Sequence, residues 1–318
     1  MADTSFVVPA PLNGERLDKV LAELVPGLSR ARARRAVEEG AVRVDGRRVP
    51  KGGVVEGGAR IDVAPHVLVL GDVPPLAEPE AHLNVVLETA SFVVVDKPAG
   101  QPSAPLRADE RGTLANALLG AYPEMAGVGY SPREPGLVHR LDTQTSGLLV
   151  AARNQEAFER LAAALRAGEM TKHYLLICRA DGLPEEGTIE VPLAAHPKDQ
   201  RRVLACIHPR DVMRNAPKAA RTEYTVVETH GPWALVEARV AKALRHQIRA
   251  HFAAIEHPLL GDELYGGEKV ALSETRASRG HALARHALHA ARIACRSPKF
   301  DVTSPLPNEL RALVEAGP

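Results

Sequence analysis

Between Arg16 and Leu24 the apolar residues Leu17, Val20, Leu21 and Leu24 recur at i, i+3, i+4 and i+7. That spacing draws one stripe down a helix. Pro26-Gly27 interrupts it, and Ser29 is placed to cap a second helix from Arg30 to about Glu39. Gly40 follows where a left-handed C-terminal residue belongs. Ala41 to Val49 then alternates in two short runs joined by Asp45-Gly46, a type I′ hairpin signal. Ile61 to Val63 offers one more strand. Residues 65 to 81 hold four prolines and little periodicity, which predicts an extended linker.

From Asn84 the texture becomes β-rich. Strands are predicted at Asn84–Glu88, Ser91–Lys97, Leu148–Val150, Lys172–Cys178, Gly187–Pro192, Arg221–Val227 and Trp233–Val240. Helices are predicted at Thr113–Leu119, after an Asn154 cap with Phe158, Leu161, Ala162 and Leu165 inward, and at Arg245–Ile255. In the last of these Ile248, Phe252 and Ile255 form the core stripe, and Arg245 and Arg249 share an edge. A helical segment from His281 to Ala290, a strand from Ala291 to Arg296 and a helix after Pro305 complete the chain. Strands without strict βαβ alternation indicate an α+β fold on a mixed, largely antiparallel sheet. The expected division is 14–65 as a small helix–helix–hairpin domain, 66–81 as linker and 82–318 as a large domain.

Composition narrows the classes. Across 318 residues, 45% are apolar and 25% charged, enough for a sizeable core, and the formal net charge is only +1. Any basic surface must therefore be local. Cys178, Cys206 and Cys295 are too few and too scattered for a disulfide framework or a zinc site. No signal-peptide pattern opens the chain and no apolar run is long enough for a bilayer, so a soluble, reducing, cytoplasmic setting is expected. His281, His286 and His289 lie close in sequence without a companion carboxylate motif, and no metal is expected.

The chemistry concentrates at His139-Arg-Leu-Asp-Thr-Gln-Thr-Ser-Gly-Leu-Leu-Val150. Asp142 stands beside His139 and Arg140 on a small-residue turn that feeds an apolar strand. A carboxylate next to a guanidinium is biased towards its charged form and can serve as nucleophile or proton acceptor. The alternative is a turn cap paired with Arg140. Arg249 sits either on a plain surface helix or at the rim of a site, against Asp142. Tyr174 alternates with His173 and Leu175, so its ring faces either a site or the core. In the small domain Arg30, Arg32, Arg34, Arg35, Arg43, Arg47 and Arg48 outnumber Glu38, Glu39 and Asp45. Pairs of Arg34 with Glu38 and Arg35 with Glu39 account for two of them. No aromatic residue lies between Pro11 and Val63, so nucleic acid would be held there by phosphate and shape.

The string from His139 to Leu148 resembles the signature of RluA-type pseudouridine synthases. Collinear with it are Asp96-Lys-Pro-Ala-Gly, Lys172-His-Tyr and His196-Pro-Lys-Asp with Arg201-Arg202. Arg245-His-Gln-Ile-Arg-Ala-His, His257-Pro-Leu-Leu-Gly-Asp-x-x-Tyr-Gly266, Leu288-His-Ala-Ala-Arg and Ser304-Pro-Leu-Pro follow in order. Residues 14 to 65, with Arg-Leu-Asp-Lys and Gly-Ala-Val-Arg-Val-Asp-Gly, resemble an S4 RNA-binding domain. The resemblance implies a pseudouridine-synthase-type catalytic domain acting on uridine in RNA without a cofactor. Asp142 would be catalytic, Tyr174 would stack on the base or take a proton, and Arg249 would pair with Asp142. His139, Arg140, Lys172 and Gln247 would meet the substrate, Arg140 by filling the place of the flipped nucleotide, and Arg30, Arg32 and Arg35 would bind RNA. Lys242-Ala243-Leu244-Arg245 departs from the usual Thr-Gly-Arg followed by Thr or Ser. The implied substrate is ribosomal RNA of the large (23S) subunit rather than transfer RNA, handled by a monomer away from membranes. Two other readings stand beside it: a hydrolytic N-glycosidase using Asp96 or Asp262 as a second carboxylate, and a non-catalytic S4-type assembly factor.

Overall fold

The computed structural model describes residues 4–25, 28, 30–65, 67, 74–106, 109–269 and 283–316. Two compact units emerge, Met1–Leu76 with Pro105–Glu110 and Ser131–Arg133, and the remainder from Ala77 to Pro318.

In the first unit strands β1 (Thr4–Val7), β2 (Val42–Val44), β3 (Arg47–Arg48) and β4 (Arg60–Val63) form an antiparallel sheet in the order β1-β4-β2-β3. Helices α1 (Leu17–Leu24) and α2 (Arg30–Glu38) bury Leu17, Val20, Leu21, Ala33, Ala36 and Val37 with Ile61 and Val63. Asp45 and Gly46 both take positive φ, as the I′ turn requires. Strand β1 precedes the expected start of this domain; four residues were too short a run to read without their β4 partner. Arg35 pairs with Glu39 at 2.8 Å, but Arg34 turns instead to the buried Asp18 at 3.7 Å, and Glu38 takes Lys51. Ser29, Pro26 and Gly27 lie outside the described residues, as do 66 and 68–73 of the expected linker.

The second unit is built on one nine-stranded mixed sheet. Its strands are β5 (Val85–Glu88), β6 (Phe92–Lys97), β7 (Ser146–Ala152), β8 (Met170–Arg179), β9 (Glu186–Ile189), β12 (Thr222–His230), β13 (Trp233–Val240), β14 (Leu288–Cys295) and β15 (Phe300–Thr303). They run β5-β6-β7-β14-β8-β13-β12-β9, with β15 on β14, while β10 (Leu193–Ala195) and β11 (Val203–Ala205) make a separate hairpin. The β7–β14 pair is parallel and the other strand pairs are antiparallel. Every residue of β7 is buried, with Leu149 and Ala151 facing one core cluster and Leu148 and Val150 the other. A strand covered on both faces explains the unbroken apolar run after Gly147.

Helix α3 (Leu114–Ala121), capped by Thr113, packs Leu114 and Leu118 on one face of this sheet. Helix α4 (Gln155–Ala167), capped by Asn154 and closed by Gly168 at φ 79°, packs Phe158 and Leu161 on the other. Three shorter helices follow: α5 (Pro209–Asn215), α6 (Gln247–Ala254) and α7 (Asn308–Ala316).

Two expectations are corrected here. Helix α6 starts at Gln247 because His246 adopts φ 52°, so Arg245 is off the helix and shares no edge with Arg249. Its guanidinium donates to the Arg201 carbonyl instead. The predicted helix from His281 to Ala290 is not formed by its described part: 283–287 are irregular and β14 begins at Leu288. Pairing with β8 and β7 overrides a local pattern that read equally well as helix.

Candidate active site

Asp142 lies on the loop that enters β7, and the loop is held at every step. Ser103 Oγ bonds both the amide and the carbonyl of Leu141, and the Thr145 amide returns to the Asp142 carbonyl at 3.0 Å. Lys97 Nζ donates to the carbonyls of Pro98, Gln101 and Thr143 at 2.8, 2.7 and 3.2 Å. Burial and then Arg285 push this lysine down to about 7, yet three carbonyls match the three N–H bonds of an ammonium. The loop is therefore built around the charged form. From the β14 side, Arg285 donates to the Gln144 carbonyl, His286 Nε2 meets Thr145 Oγ1 at 2.7 Å, and His289 Nδ1 meets Ser146 Oγ at 2.9 Å. Gly147 has φ 113°, and a Cβ there would stand 2.5 Å from the Ala290 amide nitrogen. Only glycine lets the parallel strands approach so closely.

Arg249 is 6% exposed and grips two carboxylates. Its Nε and Nη2 bind both oxygens of Asp262 at 2.6 and 2.8 Å, while Nη1 donates to Asp142 Oδ2 at 2.9 Å. Burial opposes the charge, but the two carboxylates outweigh it and hold the arginine above its ordinary pKa. The Tyr265 ring lies under the guanidinium at 5.1 Å. His246 Nε2 faces the same Asp142 oxygen at 3.7 Å. Asp262 has each oxygen bonded to Arg249 and is almost wholly buried, so it is not presented to a substrate. Asp96 takes a hydrogen bond from Ser304.

Lys172 and Tyr174 project from the same buried face of β8. Burial and the charge of Asp142 push the Tyr174 phenol well up, and burial pushes Lys172 down to about 8. His139 accepts the Val150 amide on Nε2, and its Nδ1 has no hydrogen-bond partner among the described residues. Burial and then Lys172 hold it well below the usual histidine range, so it is neutral. Arg140 is exposed and pairs with Glu134 at 2.8 Å. Gln247 is enclosed: its amide oxygen caps Leu244 and its nitrogen binds the Arg221 carbonyl and Thr222. Of the arginines expected to contact RNA, Arg30, Arg32 and Arg35 all sit on α2, where Arg35 faces solvent and Arg30 stands 3.8 Å from Asp18.

Residues 91–254 match the family described as RNA pseudouridylate synthase, and residues 15–61 match the S4 domain. The chain belongs to the RNA pseudouridylate synthase family. It is 38% identical over 319 residues to an uncharacterised RNA pseudouridine synthase of Chloroflexus aurantiacus, covering 97% of this chain and 92% of that one. To ribosomal large subunit pseudouridine synthase D of Haemophilus ducreyi it is 35% identical, covering 97% and 93%. Among solved structures, human RNA pseudouridylate synthase domain containing 1 superposes with a TM-score of 0.54 at 26% identity, over 71% of this chain and 84% of that one. The pseudouridine synthase described here thus carries Asp142 on the loop of its most characteristic string.

Sequence reasoning gave no role in this cluster to Lys97, His246, Tyr265 or His286, and offered Asp262 only as a second hydrolytic carboxylate. Their strings were visible, but the spacing of an ion pair between residues 249 and 262 has no local signature. Among the described residues no group of histidine, cysteine and carboxylate side chains is arranged to hold a metal.

Proposed function

We propose that this enzyme isomerises uridine to pseudouridine in large-subunit (23S) ribosomal RNA, acting as a cytoplasmic monomer. The observation that carries the reading is the hold on Asp142. One carboxylate oxygen is fixed by a buried guanidinium, itself clamped by Asp262, and the other oxygen takes no hydrogen bond from any described residue. Attack on C1′ and removal of a sugar proton both require an anion with one free oxygen, and this arrangement serves either. The target base leaves its stack at a cost of roughly a few kcal/mol. Arg140 fills the place it vacates, His139 and Lys172 line the pocket, and Arg30, Arg32 and Arg35 contribute phosphate contacts. Gln247 acts by holding the start of α6. Tyr174 serves as an apolar platform for uracil, because a phenol pushed up by burial and by Asp142 is a poor proton acceptor near neutral pH.

In this reading residues 14–65 are the RNA-binding domain, 66–81 the linker and 82–318 the catalytic domain. The large-subunit address draws support from relatives named for that substrate in Haemophilus ducreyi and Pseudomonas aeruginosa. The N-glycosidase alternative is disfavoured because Asp262 is buried with both oxygens bonded to Arg249, and Asp96 is bonded to Ser304.

Asp142→Asn is expected to fold, bind RNA and form no pseudouridine; conversion near the wild-type rate would overturn the role of this carboxylate. A pseudouridine map of total RNA from cells with and without the gene tests the address. A missing site in 23S ribosomal RNA is expected, and a loss confined to transfer RNA would overturn it.

A further inference from the structure

The two oxygens of Asp142 live in unequal surroundings. Oδ2 receives Arg249 and faces His246, whereas Oδ1 has no hydrogen-bond partner among the described residues. His246 is an unusual choice for its place. It is the N-cap of α6, yet its side chain makes no capping bond, and its backbone is left-handed at φ 52°, ψ 19°. Serine or aspartate would cap better, and asparagine or glycine would fit that backbone with less strain. The imidazole must therefore be explained by where it points.

Its orientation is fixed from behind. The Val203 amide donates to the Tyr265 hydroxyl at 2.8 Å, and that hydroxyl lies 3.0 Å from His246 Nδ1. Among the described residues Nδ1 is the acceptor within reach of the hydroxyl's own hydrogen, and satisfying that hydrogen places the imidazole proton on Nε2. The two rings meet edge to face at 5.8 Å. Nε2–H is thus aimed at Asp142 Oδ2 from 3.7 Å. That is longer than a hydrogen bond, but separations of this kind tighten once substrate fills a site and water leaves. Lys97, Tyr174, Arg249, Tyr265 and His286 also feel the charge of Asp142.

We propose that His246 is a positioning residue of this synthase: its Nε2–H holds Asp142 Oδ2 against Arg249 and so turns Oδ1 to the nucleotide. The inference rests on Asp142 being the reacting carboxylate. It also gives Tyr265 a purpose, as the group that sets the tautomer, and it explains why the helix begins at a strained residue.

Glutamine and asparagine separate a positioning role from a structural one. In His246→Gln the amide nitrogen falls where Nε2 was and can still reach Asp142. In His246→Asn it stops at the Nδ1 position, although asparagine suits the left-handed backbone better. Stability alone therefore ranks asparagine first, while positioning ranks glutamine first. In steady-state assays on an RNA substrate, His246→Gln should stay within about fivefold of the parent and His246→Asn should lose about tenfold to a hundredfold in kcat at unchanged KM. Thermal midpoints should place asparagine level with glutamine or above it. Equal rates for His246→Asn and the parent, a loss confined to KM, or rates that follow the thermal midpoints would each overturn the proposal. Asp142→Asn in the same assay distinguishes the two levels. If it is active the larger reading fails, and if it is inactive while His246→Asn is fully active only this inference fails.

Discussion

At the scale of single residues, Arg249 joins two carboxylates that do different work. Asp262 is 1% exposed and takes two of the guanidinium's bonds, while Asp142 is 26% exposed and takes one. Removing one partner of a buried pair strands the other charge, at about 3 kcal/mol or more. Asp262→Ala is therefore expected to lower the unfolding free energy by about that amount and, through a loosened Arg249, to slow turnover about tenfold or more. Asp142→Asn should cost about 1 kcal/mol or less, because water shares the load and Arg249 keeps its Asp262 clamp. Urea unfolding beside single-turnover rates would check this crossing of effects. The expected outcome is that the acid that matters more to stability is not the one that matters more to chemistry. Equal destabilisation by the two substitutions would contradict it.

Among the elements, periodicity placed what burial alone determines and missed what partners determine. Helix α4 was legible because Asn154, the Phe158–Leu161 stripe and Gly168 all agree locally. Helix α6 was legible in its stripe but not in its start, since a left-handed histidine next to a capless first turn depends on Tyr265 and Asp142. The β14 segment was misread up to Ala290 because Leu288, His289 and Ala290 become strand only by pairing with β8 and β7. That same segment carries a pH dependence. Burial, with Arg249 next, pushes His286 down to about 4, while an unfolded histidine titrates near its ordinary value. The unfolded chain then binds the extra proton between about pH 6.5 and pH 4, so stability falls as pH drops through that window. Below about pH 4 this contribution is fully lost and the dependence on this group flattens. The contribution is about 3 kcal/mol. His139, His246, His251 and His289 are shifted the same way, burial being the largest cause in each. Urea midpoints from pH 7 to pH 4.5 should fall steeply, and less steeply in His286→Gln, which keeps a partner for Thr145 without a titrating ring. Parallel slopes for parent and variant would show that His286 is not a buried neutral group.

Over the whole molecule the net charge of +1 says little, because affinity for RNA follows local charge rather than the sum. Helix α2 and the β2–β3 hairpin gather arginines without an aromatic platform, so they offer phosphate contacts and no base stacking. Part of that charge is already engaged: Arg16 binds Asp18, with Arg30 and Arg34 close by, and these arginines hold the Asp18 carboxyl below its usual range. Arg30 stands too far from Asp18 for a hydrogen bond and is 55% exposed, so it remains for RNA beside Arg35, whose pair with Glu39 is 79% exposed on the arginine side and weak in water. Removing such contacts should leave the folded enzyme and its chemistry untouched while weakening capture. For the double variant Arg30→Gln with Arg35→Gln, KM for RNA should rise and kcat at saturating RNA should hold. The slope of log affinity against log salt should flatten by roughly 1.5, two phosphate contacts being lost. An unchanged salt slope would mean that these two side chains touch no phosphate, and the basic hairpin around Arg43, Arg47 and Arg48 would be the surface to test next.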